Sequence, residues 1–129
     1  MKRESWLPAV PESAPEARGI VRAAASELRL DASTTWDLLL ATTEAVANAV
    51  EHGKPCDPRG IYMCLETRDG SIGIEVRDCG RFPPVPQTRK PDQQGGRGMP
   101  IIAMIMDKLE VAPSRDTTRV RFEKRLATA

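Results

Sequence analysis

Residues 60–78, GIYMCLETRDGSIGIEVRD, constrain the fold of this chain more than any other stretch. Ile61, Met63 and Leu65 alternate with other residues, and so do Ile72, Ile74 and Val76. Successive side chains of a strand point to opposite faces, so each half presents one apolar face. Between the halves stands RDGS, whose Asp-Gly pair accepts the backbone angles of a tight hairpin turn. A hairpin alone is marginal in water, so the rest of the chain must cover that apolar face.

Two helical stretches come first. In PESAPEARGIVRAAASELRL, the apolar residues Ala17, Ile20, Val21, Ala24, Ala25 and Leu28 recur at threes and fours, as one buried helix face requires. Ser13 is the expected cap, with Pro15 and Glu16 in the first turn. Gly19 is its weakest helix former. A second helix is expected from about Thr35 to Glu51, after the cap candidates Asp31 and Ser33. Leu39, Leu40, Thr43, Val46, Ala47 and Val50 form its core side, and Gly53 and Pro55 stop it. Ahead of both helices, the prolines of SWLPAVPES leave a short extended segment, and a full first strand is not expected. Beyond the hairpin, CGRFPPVPQTRKPDQQGGRG has almost no periodicity. Loops of about 20 residues in a compact domain are usually functional or mobile. A short helix, MPIIAMIMDKL, and two strands, KLEVAP and TTRVRFEKRL, close the chain. The pattern predicts one domain, residues 1–129, of the α/β or α+β kind.

Composition removes several function classes. The net charge of +1 gives no broad electrostatic case for direct nucleic-acid binding. Arg115, Arg119, Arg121, Lys124 and Arg125 stand near Asp116 and Glu123, and read as a solvated strand face. No apolar run approaches the roughly 20 residues that cross a bilayer, and the basic start lacks the apolar block of a signal peptide. No membrane association is expected. Aromatics are 4% of residues, so the core must be mainly aliphatic. Cys56, Cys64 and Cys79 are odd in number and lack metal-ligand spacing, which fits a reducing cytoplasm and structural roles.

The second helix carries the first chemical signal. Glu44, Asn48 and His52 are four apart and project from one side. Thr42, Ala45 and Ala49 lie beside them, small enough to leave room for a cleft. An amide oxygen is a hard ligand, and Mg²⁺ needs few protein ligands when phosphates and water supply the rest. A Glu one turn earlier could act as general base near a terminal phosphate. An exposed polar helix with a chance Glu-Asn pair is the plainer alternative.

Two glycine-bearing segments follow. EVRDCGRF puts Asp78 at a strand end and Gly80 two residues on. A carboxylate buried there could accept from an exocyclic amine, with Gly80 admitting a flat ring, although Asp-x-Gly turns are common. QQGGRGMPII puts Gly95, Gly96 and Gly98 directly before a helix, where free N–H groups and the helix dipole favour phosphate. It is neither a Walker loop nor a Rossmann fingerprint, and a flexible linker is the alternative.

Taken in order, these segments resemble the GHKL ATPase/kinase superfamily. Within it, the chain looks like the anti-sigma-factor serine/threonine kinases of the RsbW and SpoIIAB type. EAVANAVEHG matches that family's N box, DCGRF its first glycine box, GGRGMPIIAMIMDKLEV its second, and TTRVRFEKRL its closing strand. The resemblance implies the Bergerat ATP-binding fold, a two-layer α+β sandwich with helices on one face of a mixed, mostly antiparallel sheet. It implies that Asn48 coordinates Mg²⁺ and that Glu44 activates a serine hydroxyl toward the γ-phosphate of ATP. Asp78 would bind the adenine amine, with Gly80 giving the ring room and Thr118 near it. Gly95, Gly96 and Gly98 would hold phosphates, with Arg97 and Met99 beside them. Residues about 80–97 would form the ATP lid. The implied partners are a STAS-type anti-anti-sigma factor, phosphorylated on serine, and an RNA polymerase sigma factor. The family often forms homodimers, and the abrupt start is compatible with a domain of a larger regulator.

Two positions depart from the family pattern. Phe82 stands where the first glycine box usually has its second Gly, and Thr117 replaces the Gly before the closing strand. Both bear on nucleotide affinity more than on the fold. They define the alternative, a sigma or STAS adaptor that holds nucleotide poorly. A histidine kinase catalytic domain is disfavoured because His52, the single histidine, lies inside the N box. An ATP-driven clamp would need further domains.

Overall fold

A computed structural model of the chain describes residues 1–56, 59–80 and 98–126. Its elements are β1 (Lys2–Leu7), α1 (Ser13–Leu28), α2 (Ala32–His52), β2 (Ile61–Arg68), β3 (Ser71–Asp78), α3 (Gly98–Ile105), β4 (Lys108–Pro113) and β5 (Thr118–Arg125). The strands form one sheet in the order β1-β2-β3-β5-β4. Among the described residues every pairing is antiparallel, in keeping with the expected mostly antiparallel sheet.

The hairpin forms as its alternation predicts. Asp69 and Gly70 turn it with φ of 46° and 78°. Ile61, Met63, Leu65, Ile72, Ile74 and Val76 are all buried. Register carries this face across the sheet: Leu65 pairs with Ile74, Ile74 with Phe122 and Phe122 with Leu109. Leu7 extends it into β1. The expectation of no full first strand is thus corrected: all six residues of β1 pair with β2. Its sequence, KRESWL, hides this because Leu7 is its one fully buried residue.

The helices cover that apolar face, and α2 packs against both α1 and α3. This central position widens its buried side. Leu38, Ala41, Thr42, Ala45 and Ala49 are buried together with Leu39 and Val46, whereas Leu40, Thr43, Ala47 and Val50 are only partly so. The small residues expected to line a cleft instead let neighbouring elements approach closely. At the start of α1, Ser13 is not a cap. It is buried and donates to the Pro8 carbonyl at 2.5 Å, while Glu12 holds the cap position without a side-chain bond.

The opposite face of the sheet is charged. Arg77 pairs with Glu75 at 2.6 Å, Arg119 with Glu110 at 3.1 Å, and Arg121 with Glu123 at 3.2 Å. The basic strand is therefore laced with acids. Lys124 points the other way, to Asp37 of α2 at 2.9 Å and the Ile105 carbonyl of α3 at 2.6 Å. It ties the C-terminal end of α3 to α2 and β5. Among the described residues, no helix is long and apolar enough to cross a membrane.

Candidate functional site

The site gathers where α2 ends and β3 ends. Asp78 is the last residue of β3 and pairs in register with Thr118, the first of β5. Residues 76, 78, 118 and 120 share the helix-covered face, and Asp78 meets Gly53 at the C-terminal end of α2. Asp78 is 8% exposed and Thr118 3%. The burial expected of a carboxylate at this strand end is present.

Asp78 is held by backbone. The Gly80 N–H donates to its Oδ1 at 2.7 Å, and the Lys54 N–H donates to the same carboxylate. Burial pushes its pKa above the ordinary carboxylate value, and those two N–H bonds pull less strongly the other way. The Cys79 N–H donates to the Lys54 carbonyl at 2.8 Å, and the Thr118 hydroxyl donates to the Gly80 carbonyl at 3.0 Å. Residues 53–56 and 78–80 are thus stitched together.

Glycine makes this approach possible. Gly53 ends α2 with its N–H on the Ala49 carbonyl and a φ of −89°, a conformation open to any residue. Its necessity is spatial: a Cβ there would lie 2.5 Å from Asp78 Cγ and 2.6 Å from the Ala49 oxygen. At Gly80 a Cβ would lie 2.9 Å from the Lys54 nitrogen and 3.1 Å from the Gly53 carbonyl carbon. The sequence identified Gly80 as a close-approach position but read Gly53 only as a helix stop.

A covalent link closes the same junction. Cys56 and Cys79 form a disulfide across a sequence separation of 23. Their spacing gave no hint of pairing. The signal available was weaker: each cysteine sits within three residues of a segment already singled out. Cys64 is free and buried, as expected of a strand residue.

Glu44 and Asn48 are half-buried on α2, and the side chain of His52 lies outside what the structure describes. Asn48 precedes Gly53 by five residues, about 7.5 Å along the helix axis. It therefore belongs to the helix whose end closes on Asp78, with Glu44 one turn further back. Gly98 begins α3, and Met99 packs partly buried against the core. Asp78, Gly80 and Thr118 come together directly, and α3, which Gly98 begins, packs against α2. Gly95, Gly96, Arg97, Phe82 and the expected lid from residue 81 onward lie outside the described residues. Thr117 is accommodated in the β4–β5 turn, its hydroxyl 2.5 Å from Ser114 Oγ.

This arrangement offers a buried, ionisable hydrogen-bond acceptor held by backbone N–H groups. Among the described residues, no group of three or more His, Cys, Asp or Glu side chains could hold a metal ion. A hard divalent cation here would depend on an oxygen donor such as the Asn48 amide, together with oxygens of a bound phosphate.

Comparison with known proteins agrees with the geometry. Residues 7–124 match the histidine kinase-like ATPase domain model. An anti-sigma F factor of Heyndrickxia coagulans is 31% identical, covering 98% of this chain and 95% of that protein. One from Clostridium perfringens is 31% identical over 71% of this chain and 73% of its own length. A crystal structure of the RsbU and RsbW domains of a Mycobacterium tuberculosis protein superposes with a TM-score of 0.81 at 23% identity. It covers all of this chain, which spans 33% of that longer protein. This chain belongs to the histidine kinase-like ATPase family, in the GHKL group that includes the anti-sigma F factors.

Proposed function

We propose that this chain is a cytoplasmic, ATP-dependent protein serine kinase of the anti-sigma-factor type. It phosphorylates a STAS-type anti-anti-sigma partner and sequesters a sigma factor. The observation that carries the nucleotide reading is Asp78: a carboxylate buried at a strand end and closed on the tip of the N-box helix. The anti-sigma F relatives support the choice of partners.

In this reading Asp78 accepts a hydrogen bond from the adenine amine, and Gly53 and Gly80 let the end of α2 close on the strand end that presents it. Thr118 keeps the Gly80 carbonyl fixed and so holds the strand end in place. Gly95, Gly96 and Gly98 offer backbone N–H groups to the phosphates, with Arg97 and Met99 beside them. Asn48 would hold Mg²⁺, which when bound neutralises phosphate charge. Glu44, one turn away on the same face, takes the proton of the incoming serine hydroxyl. The work of the site is positioning and charge compensation.

The competing reading is an adaptor with poor nucleotide affinity. Phe82 and Thr117, the two departures from the family pattern, are what favour it. Incubation with labelled ATP and a STAS partner separates the two. Label transfer is expected with the wild type and abolished in Glu44→Ala, which keeps ATP binding. Partner binding without transfer by the wild type would select the adaptor, and normal transfer by Glu44→Ala would remove Glu44 as base.

A further inference from the structure

We infer that the Cys56–Cys79 disulfide is a positioning element for the nucleotide site and makes its affinity respond to thiol redox state. This rests on the nucleotide reading above and adds its regulation. The bridge joins the two segments that build the Asp78 end of the pocket. Cys79 lies between Asp78 and Gly80, and Cys56 lies two residues beyond Lys54. Four backbone or hydroxyl bonds meet there: Gly80 and Lys54 N–H to Asp78, Cys79 N–H to the Lys54 carbonyl, and Thr118 to the Gly80 carbonyl. All four involve Cys79 itself or a residue adjacent to it.

Without the bridge, residues 53–56 are held to β3 through the Lys54 backbone, its N–H on Asp78 and its carbonyl on the Cys79 N–H. Lys54 and Pro55 are exposed, and Cys56 pairs with Gly60 in an isolated bridge. The site is also crowded: Asp78 and Gly53 are in near contact, and burial already disfavours the Asp78 charge. A charged, desolvated acceptor whose supporting N–H comes from an exposed segment depends on whatever fixes that segment in place. The bridge fixes Lys54 where its N–H reaches the carboxylate. The closed, oxidised form is the nucleotide-competent one, and reduction lowers the fraction of molecules with Asp78 correctly supported.

The chemistry balances by exchange with a low-molecular-weight disulfide. One cysteine thiolate attacks it and releases a first small thiol. The second cysteine thiolate then displaces the other small thiol from the mixed disulfide. The two cysteines lose two protons and two electrons, and the small disulfide leaves as two thiols. Cys79 is half-buried, so a small reagent reaches it, whereas Cys64 lies buried in β2 away from the junction. In the reducing cytoplasm proposed above, disulfides are uncommon, and those present are usually transient and redox-sensing.

The test compares ATP affinity of the full chain after treatment with oxidised glutathione and after dithiothreitol, by calorimetry with Mg²⁺. If reduction leaves about one molecule in ten competent, the apparent Kd rises about tenfold. The Cys56→Ser/Cys79→Ser double variant is expected to match the reduced wild type under both treatments, and Cys64→Ser is expected to keep the response. Equal affinity in both forms, tighter binding on reduction, or an intact mass that does not gain two hydrogens on reduction overturns the inference. If neither form binds ATP, the nucleotide reading falls by itself. Amide hydrogen exchange then decides the positioning role: Lys54 and Gly80 should exchange faster on reduction, and unchanged rates would overturn it.

Discussion

The two ends of α2 are both closed by an aspartate, yet the two carboxylates are shifted in opposite directions. At the N-terminal end, Asp31 accepts from the Thr34 N–H at 2.7 Å and stands exposed. Its pKa is lowered, mainly by its hydrogen bonds to Thr34, as a charge on a helix N-terminus should be. At the C-terminal end, Asp78 arrives from β3, is buried, and has its pKa raised by that burial. One end is finished by a neighbour three residues away and gains stability from its charge. The other is finished by residues 25 positions later and holds a charge that folding disfavours. An uncomfortable charge kept in place by glycine and backbone is what a binding site looks like when its ligand is to supply the missing partner.

The strongest way to break this contrast is to fill the gap at Gly53. In Gly53→Ala the new Cβ meets Asp78 Cγ at 2.5 Å and backbone at 2.6 Å, so neither neighbour can yield cheaply. Overpacking of this kind costs about 1–3 kcal/mol, and ATP binding should fall with it. Gly19→Ala is the internal control. No heavy atom lies within 4 Å of the position a Cβ would take on α1. That variant should gain about 0.5–1 kcal/mol. Denaturant unfolding of the two variants measures both effects. A Gly53→Ala protein as stable as wild type, with ATP affinity intact, would remove the spatial argument.

The next test separates stability from binding at Asp78. Its folded pKa lies above the unfolded one, so the favourable state is the protonated one. That contribution is complete below the unfolded value and is lost as pH rises through the folded value. Asp78→Asn is free of this titration. It should melt higher than wild type near neutral pH, and the gap should close on acidification. Its amide nitrogen cannot accept from an adenine amine, so ATP affinity should drop. Losing one hydrogen bond to a charged group is worth about 1.5–3 kcal/mol. A variant that melts lower and binds ATP normally would mean that Asp78 is structural.

What the sequence made legible follows the same division between near and far. The hairpin could be read in full, because alternation at Ile61–Leu65 and Ile72–Val76 and the Asp69–Gly70 turn are local facts. The helix limits were close for the same reason: Asp31 does cap α2, and Gly53 does end it. Errors arose where a distant element decided the outcome. Thr42, Ala45 and Ala49 looked like a cleft wall, but α2 lies between α1 and α3 and buries them. β1 looked too short for a full strand beside the prolines of SWLPAVPES until β2 supplied its partner. At the site, the residue types were legible and their mutual support was not. Asp78 and Gly80 could be named from a motif, whereas the N–H of Lys54, the tolerance at Gly53 and the Cys56–Cys79 link exist only once β3 meets the end of α2.

The smallest effect belongs to the other end of the helix and carries the opposite sign. Asp31 has a folded pKa below its unfolded one, so its contribution is present above the unfolded value and is lost as pH falls through the folded value. Asp31→Ala should therefore melt slightly below wild type at neutral pH, with the two curves merging in acid. ATP affinity should be unchanged, since the Asp31 carboxylate bonds Thr34 and lies at the far end of a 21-residue helix from Gly53. Thermal melts across pH for Asp31→Ala and Asp78→Asn, run side by side, then give two difference curves of opposite sign that both shrink toward low pH. Two curves of the same sign would mean that both carboxylates act as ordinary surface groups, and the distinction between a capped end and a ligand-receiving end would not hold.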